Sequence, residues 1–200
     1  MSLTACSDSV NPDVSDPVQS NSPYVLPSES YGIEGSGSTG SVLDQARAAN
    51  ADSSQIEILE KDDISFADYE AAVNRSLTCM REAGIDVVGP DVDDSTGLML
   101  LNYGWSSDVS GLTEDQGRAL GDDCLNRFSF WVEAQYSVQP SSIEAKEVSF
   151  EKYRPAVVEC IRDNGGTIRD NASRTEAAYA SFAVQDKTGV DCFEKSGIRI

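Results

Sequence analysis

The chain has no histidine at all. That removes the side chain most often used as a general base near neutral pH, and the commonest metal ligand. Ser-His-Asp and Cys-His catalysis are therefore excluded within this chain, as are Cys/His zinc sites. Four-cysteine zinc would need close Cys pairs, and there are none. The absence of C-x-x-C also removes the usual signature of a redox dithiol. A carboxylate-only mechanism, as in many glycosidases, survives these exclusions, although 34 acids offer no way to single out a pair. Cationic residues are scarce. Fifteen Lys and Arg stand against those acids in 200 residues, a formal net charge of −19. Phosphate backbones and anionic headgroups would be repelled, so nucleic acid is not an expected partner. The phosphate-cradling G-x-x-x-x-G-K and the hydrolase elbow G-x-S-x-G are missing. G-x-G-x-x-G occurs by letters at 35–40, but in a Ser-rich stretch with no strand before it, so it reads as linker and no cofactor is expected.

The chain does contain five cysteines, Cys6, Cys79, Cys124, Cys160 and Cys192. The first stands apart. Leu3-Thr4-Ala5-Cys6 is similar to the lipobox of bacterial lipoproteins, where cleavage before the Cys frees it to carry a diacylglyceryl group. No charged n-region or apolar h-region precedes it, so Met1-Ser2-Leu3 is read as standing in for a removed leader. The resemblance implies lipidation at Cys6 and a membrane partner reached through that anchor. Residues 1–52 are rich in Ser, Gly, Pro, Asp and Asn, a composition that buries too little apolar surface to offset ordering. They are expected to be a disordered acidic tether, with a capped helical start at 41–50 as one small island.

From Ser53 a folded body is expected, with unit one at 53–140 and a shorter unit two at 141–200. Ser65 and Asp68 form a capping-box-like start, and Phe66, Tyr69, Val73, Leu77 and Met80 make one helical stripe stopped by Gly84. "IDVVGP" and "GLMLLNYGW" flank the acidic turn at 91–96 and read as a hairpin. A single long helix is expected over 114–137, capped by Thr113 and Gln116.

The second unit echoes the first. "VSFEKY" at 148–153 follows "ISFADY" at 64–69, "CIRDNG" at 160–165 follows "CMREAG" at 79–84, and Asp191-Cys192 follows Asp123-Cys124. Pro155 places the start of the second Cys helix near Tyr153. Four cysteines allow three connectivities, and sequence alone does not choose among them. The repeat favours Cys79 with Cys124 and Cys160 with Cys192 as structural bridges in an oxidising compartment. Arg81 and Arg162 fall in the last helical turn, where a cation complements the dipole. The fold class is mainly α (α+β): two related disulfide-stapled helix–connector–helix units with a small β-hairpin in the first.

The short helix ending in Ile58-Leu59, the acidic turn, "ISFADYEAAV" and "CMREAGI" together resemble an uncharacterised group of secreted and lipid-anchored actinobacterial proteins. The resemblance covers mainly residues 54–90. It implies a Gram-positive envelope location and brings no activity with it.

Candidate contacts are few. Tyr103 and Trp105 lie at a strand end, where exposed rings could stack on a glycan or a partner. The three acids of 91–94 lack the glycine and bidentate glutamate of a calcium loop, so no metal is expected. The leading expectation is an extracytoplasmic, non-enzymatic binding module for an unidentified envelope protein or glycan. A carboxylate-dependent enzyme on wall glycans and a purely structural envelope protein are the alternatives.

Overall fold

The computed structural model describes residues 41–198, so Cys6 and its lipobox lie outside the described residues. The ordered body starts earlier than Ser53. A capping box, in which Ser41 accepts from the Asp44 N–H and Asp44 accepts from that of Ser41, opens helix α1 (Val42–Ala48). Ala46 on this helix is fully buried, so the last dozen residues assigned to the tether belong to the body. Asp52 then caps α2 (Ser53–Leu59), and Ser65 with Asp68 boxes the start of α3 (Phe66–Glu82). Tyr69, Val73, Leu77 and Met80 of the predicted stripe are buried, and Phe66 packs partly against them.

The hairpin pairs β1 (Val87–Asp93) with β2 (Leu100–Trp105), antiparallel, with a register shift between Val88 and Asp91. Asp91 and Asp93, assigned to the turn by sequence, are strand residues opposite Asn102 and Leu100. At the tip, a Cβ on Gly97 would stand 2.3 Å from the Ser149 Cβ, so the hairpin rests directly on the helix that opens unit two.

The long helix expected over 114–137 is broken. α4 (Glu114–Phe128) stops at Ser129, whose φ is −136°, and α5 (Phe130–Val138) starts afresh. One side chain explains the break. Gln55, fully buried on α2, inserts into the gap. Its Nε2 donates to the Asn126 and Arg127 carbonyls at 3.1 and 3.0 Å. Its Oε1 accepts from the Trp131 and Val132 N–H groups at 2.7 and 3.2 Å. Gln55 thus satisfies both loose ends, groups that every helix terminus otherwise leaves orphaned.

Unit two has α6 (Pro140–Phe150), α7 (Arg154–Asp163), α8 (Arg174–Thr188) and α9 (Cys192–Lys195). Its core is separate from that of unit one and includes Phe150, Val157, Ile161, Val184 and Phe193. The Cys helices end alike. Gly84 and Gly165 take φ of +82° and +81°, and the next N–H returns to Met80 O and Ile161 O respectively. Arg81 and Arg162 do more than meet a dipole. Each donates across to the following segment, to Gly89 O at 3.2 Å and Ile168 O at 2.7 Å.

Two echoes are not structural equivalents. Ser65 caps a helix, whereas Ser149 lies at the end of α6, because Pro140 and Pro155 set the helix starts in unit two. Asp191 caps α9 through the Phe193 and Glu194 N–H groups, whereas Asp123 sits within α4. The cysteine pattern does hold: Cys79 bonds Cys124 and Cys160 bonds Cys192. Such bridges persist in oxidising, extracytoplasmic compartments. Among the described residues no helix is long and apolar enough to cross a membrane.

Candidate functional site

The Cys79–Cys124 bridge joins α3 to α4, and Ser76 Oγ meets Ser129 Oγ at 2.8 Å farther along the same seam. Going down α3 from 79 to 76 is matched by going up α4 from 124 to 129, so the helices run antiparallel. Helical spacing then dictates what flanks the bridge. Arg75 is four residues before Cys79, and Arg127 is three after Cys124, so each stands one turn from its own end of the staple. Both arginines border one hollow of that seam.

Between them lies an open hollow of about 480 Å³. From α3 it is lined by Ala71, Asn74, Arg75, Thr78 and Glu82, a single stripe at helical spacing, and from α4 by Arg127 and Phe128. Cys79 of the staple also lines it. The Arg127 guanidinium lies 4.9 Å from the centroid of the Phe128 ring. Arg75 and Arg127 form no ion pair among the described residues, unlike Arg47, Lys61, Arg118, Arg154, Arg162 and Arg169. Both still act on a common neighbour. Asp52 has its carboxyl held below the usual range, chiefly by hydrogen bonds from Ser54 and then by the charges of Arg127 and Arg75. Asp52 caps α2 through Ser54 and makes no ion pair with either arginine, although its charge still reaches both.

A buried polar chain runs beneath this seam. Ser76 donates to Ser129, and Ser129 Oγ donates to Glu133 Oε1 at 2.6 Å. Tyr103 OH donates to both Glu133 oxygens, at 3.0 and 3.1 Å. Burial pushes the Glu133 carboxyl above its ordinary range, with the Ser129 and Tyr103 hydroxyls opposing the shift. Burial, followed by the Glu133 charge, raises the Tyr69 phenol as well. Tyr69 stacks on Tyr136 with centroids 4.6 Å apart, and its oxygen accepts from the Leu101 N–H at 3.1 Å.

Tyr103 and Trp105 are therefore not free rings awaiting a ligand. Both are partly buried against the unit-one core. The Trp105 ring fills the space beside Gly121, where a Cβ would lie 2.6 Å from it, so only glycine fits there. A second hollow, about 320 Å³, lies beside α7 and is lined by Glu159, Arg162, Asp163 and Asp170. Its one arginine is already paired with Asp170 at 2.7 Å. Counting from the cysteines, Thr78 and Glu82 match Glu159 and Asp163, so both units place a hollow on the same helix face. Only the first supplies unpaired arginines. Sequence reading passed over Arg75 and Arg127, although the cysteine pairing it favoured already placed each of them one turn from the staple.

Among the described residues there is no cluster of three or more His, Cys, Asp or Glu able to hold a metal ion. Comparison with protein-family models, curated proteins and solved structures found no match.

Proposed function

We propose that this protein is an extracytoplasmic lipoprotein, anchored to the outer face of the cytoplasmic membrane through Cys6, whose stapled helical body is a non-enzymatic binding module. Its ligand-contacting surface is the α3–α4 hollow, and the ligand carries a carboxylate. One observation carries this reading. In a chain of net charge −19, two arginines line one hollow. Among the described residues no acid takes either arginine into an ion pair, which leaves both open to an anionic ligand. Arginine presents a planar fork of donors that matches a carboxylate bidentately.

The resemblance of residues 54–90 to secreted actinobacterial proteins supports the envelope location, as does the lipobox around Cys6. A hydrolase is less well supported. It needs one carboxyl kept protonated by burial beside a second that faces the same substrate. Glu133 is a partly buried acid whose carboxyl is pushed up by desolvation, but it lines neither hollow. Glu159 and Asp163 line one and are both exposed.

Titration of the full chain with sodium acetate, followed through its backbone amide NMR signals against sodium chloride at equal ionic strength, tests the site. Saturable shifts confined to 71–82 and 124–129 are expected, and shifts spread evenly over the surface would defeat the assignment. For the anchor, Cys6→Ala in the full precursor should release the protein into the medium. Retention at the membrane would remove the lipidation reading.

A further inference from the structure

The α3–α4 hollow is charged at both ends, and the two ends differ in sign. At one end Arg75 and Arg127 converge beside the Phe128 ring. At the other is Glu82, the last residue of α3, exposed and without an ion-pair partner among the described residues. A carboxylate in the last turn opposes the helix dipole, so Glu82 does not serve α3 itself. A cation placed there would be favoured by both the dipole and the Glu82 charge. Arg75 and Glu82 are seven residues apart on one stripe, which at the α-helical rise is about 10 Å. An extended peptide covers about 3.3–3.6 Å per residue, so three residues match that span.

We infer that the hollow takes a short peptide with free ends, about three residues long, extended along α3. Its C-terminal carboxylate lies between Arg75 and Arg127, and its N-terminal ammonium lies on Glu82. The carboxylate end lies beside the Phe128 ring, and the middle of the peptide crosses the Thr78 side of the helix. Length and end charges set the selectivity, because the hollow is open rather than enclosed. The matching face of α7 carries Glu159 and Asp163 with no free arginine, so the frame does not itself require this charge arrangement. The inference rests on the carboxylate-binding reading of the same site and adds the ligand class to it.

Calorimetric titration of the full chain with trialanine, N-acetyl-trialanine, trialanine amide, alanine and acetate separates the two claims. Free trialanine should bind tightest, and blocking either end should weaken it about tenfold, the scale of one charge-assisted contact. Alanine, too short to reach both ends, should bind no better than acetate. Glu82→Gln should make trialanine and its acetylated form bind equally, while acetate affinity should not fall. If the acetylated peptide binds as well as the free one to the unmodified chain, or if Glu82→Gln leaves their difference intact, the peptide inference fails while the carboxylate site stands. If none of the carboxylates binds, acetate included, the underlying reading fails too.

Discussion

Replacing Gln55 by leucine should cost far more than the loss of one surface polar group. The side chain is fully buried and engages two carbonyls at the end of α4 and two N–H groups at the start of α5. Leucine is close in size but offers neither donor nor acceptor. The Arg127 carbonyl would keep one partner, the Asp52 N–H at 2.8 Å. The Asn126 carbonyl and the Trp131 and Val132 N–H groups would lose theirs. Each stranded buried group costs about 1–3 kcal/mol. The apolar side chain returns about 1–2 kcal/mol of burial. Three stranded groups less that return leave a net loss of about 1–8 kcal/mol, against an ordinary domain stability of about 5–15 kcal/mol. Urea unfolding monitored by circular dichroism, with both disulfides oxidised, measures it directly. Gln55→Glu adds a control with nearly the same shape. Ionised, it keeps the two N–H groups satisfied but faces the two carbonyls with negative charge, so its deficit should shrink as acid protonates it. A Gln55→Leu loss under about 0.5 kcal/mol would show that the break in the helix does not depend on this side chain.

Glu133→Gln should leave the protein at least as stable as the parent at pH 7–8. Burial raises the Glu133 pKa, so its contribution is fully present below the ordinary carboxylate range and is lost as pH rises through the raised value. The gap between variant and parent in thermal melts should therefore widen with pH, and a variant clearly weaker at pH 8 would mean the ionised carboxylate is a net asset. The capping acids Asp52 and Asp68 titrate the other way. Their pKa values are lowered, so their contribution is present at neutral pH and fades as pH falls through the depressed values. Removing the Cys160–Cys192 bridge by paired alanine substitutions should cost about 4 kcal/mol in the loop-entropy account. Because unit two has a small separate core, hydrogen exchange should rise there first, and uniform loosening of both units would contradict the two-core description. Thr113→Ala should cost about 1 kcal/mol by removing the α4 cap.

Features set by near neighbours in the chain were legible in the sequence. The Ser65–Asp68 and Thr113–Gln116 boxes, the Tyr69–Met80 stripe and the glycine stops at 84 and 165 each depend on residues within a few positions of one another. The bridges were legible because the repeat supplied a second copy of the pattern. What failed was decided at long range. Nothing between 114 and 137 announces a break, because its cause is a glutamine on α2. Helix α6 gives little periodic signal, since Ile143 and Val148 point outward while Ser142 is buried. Tyr103 looked like a binding ring because its partner, Glu133, belongs to another element. Arg75 and Arg127 gave no local signal either, since neither is remarkable in its own helix and only the disulfide brings them together.

The central claim is that these two arginines grip one carboxylate, and a double-mutant cycle on binding tests it most directly. Acetate affinity would be measured by NMR titration for the parent chain, Arg75→Gln, Arg127→Gln and the double variant. The account predicts that each single change weakens binding about tenfold, and that the second adds much less than the first, because one anion is held jointly. Additive losses would show that the two arginines act independently rather than as one joint grip, and unchanged affinity in either single variant would remove that arginine from the site.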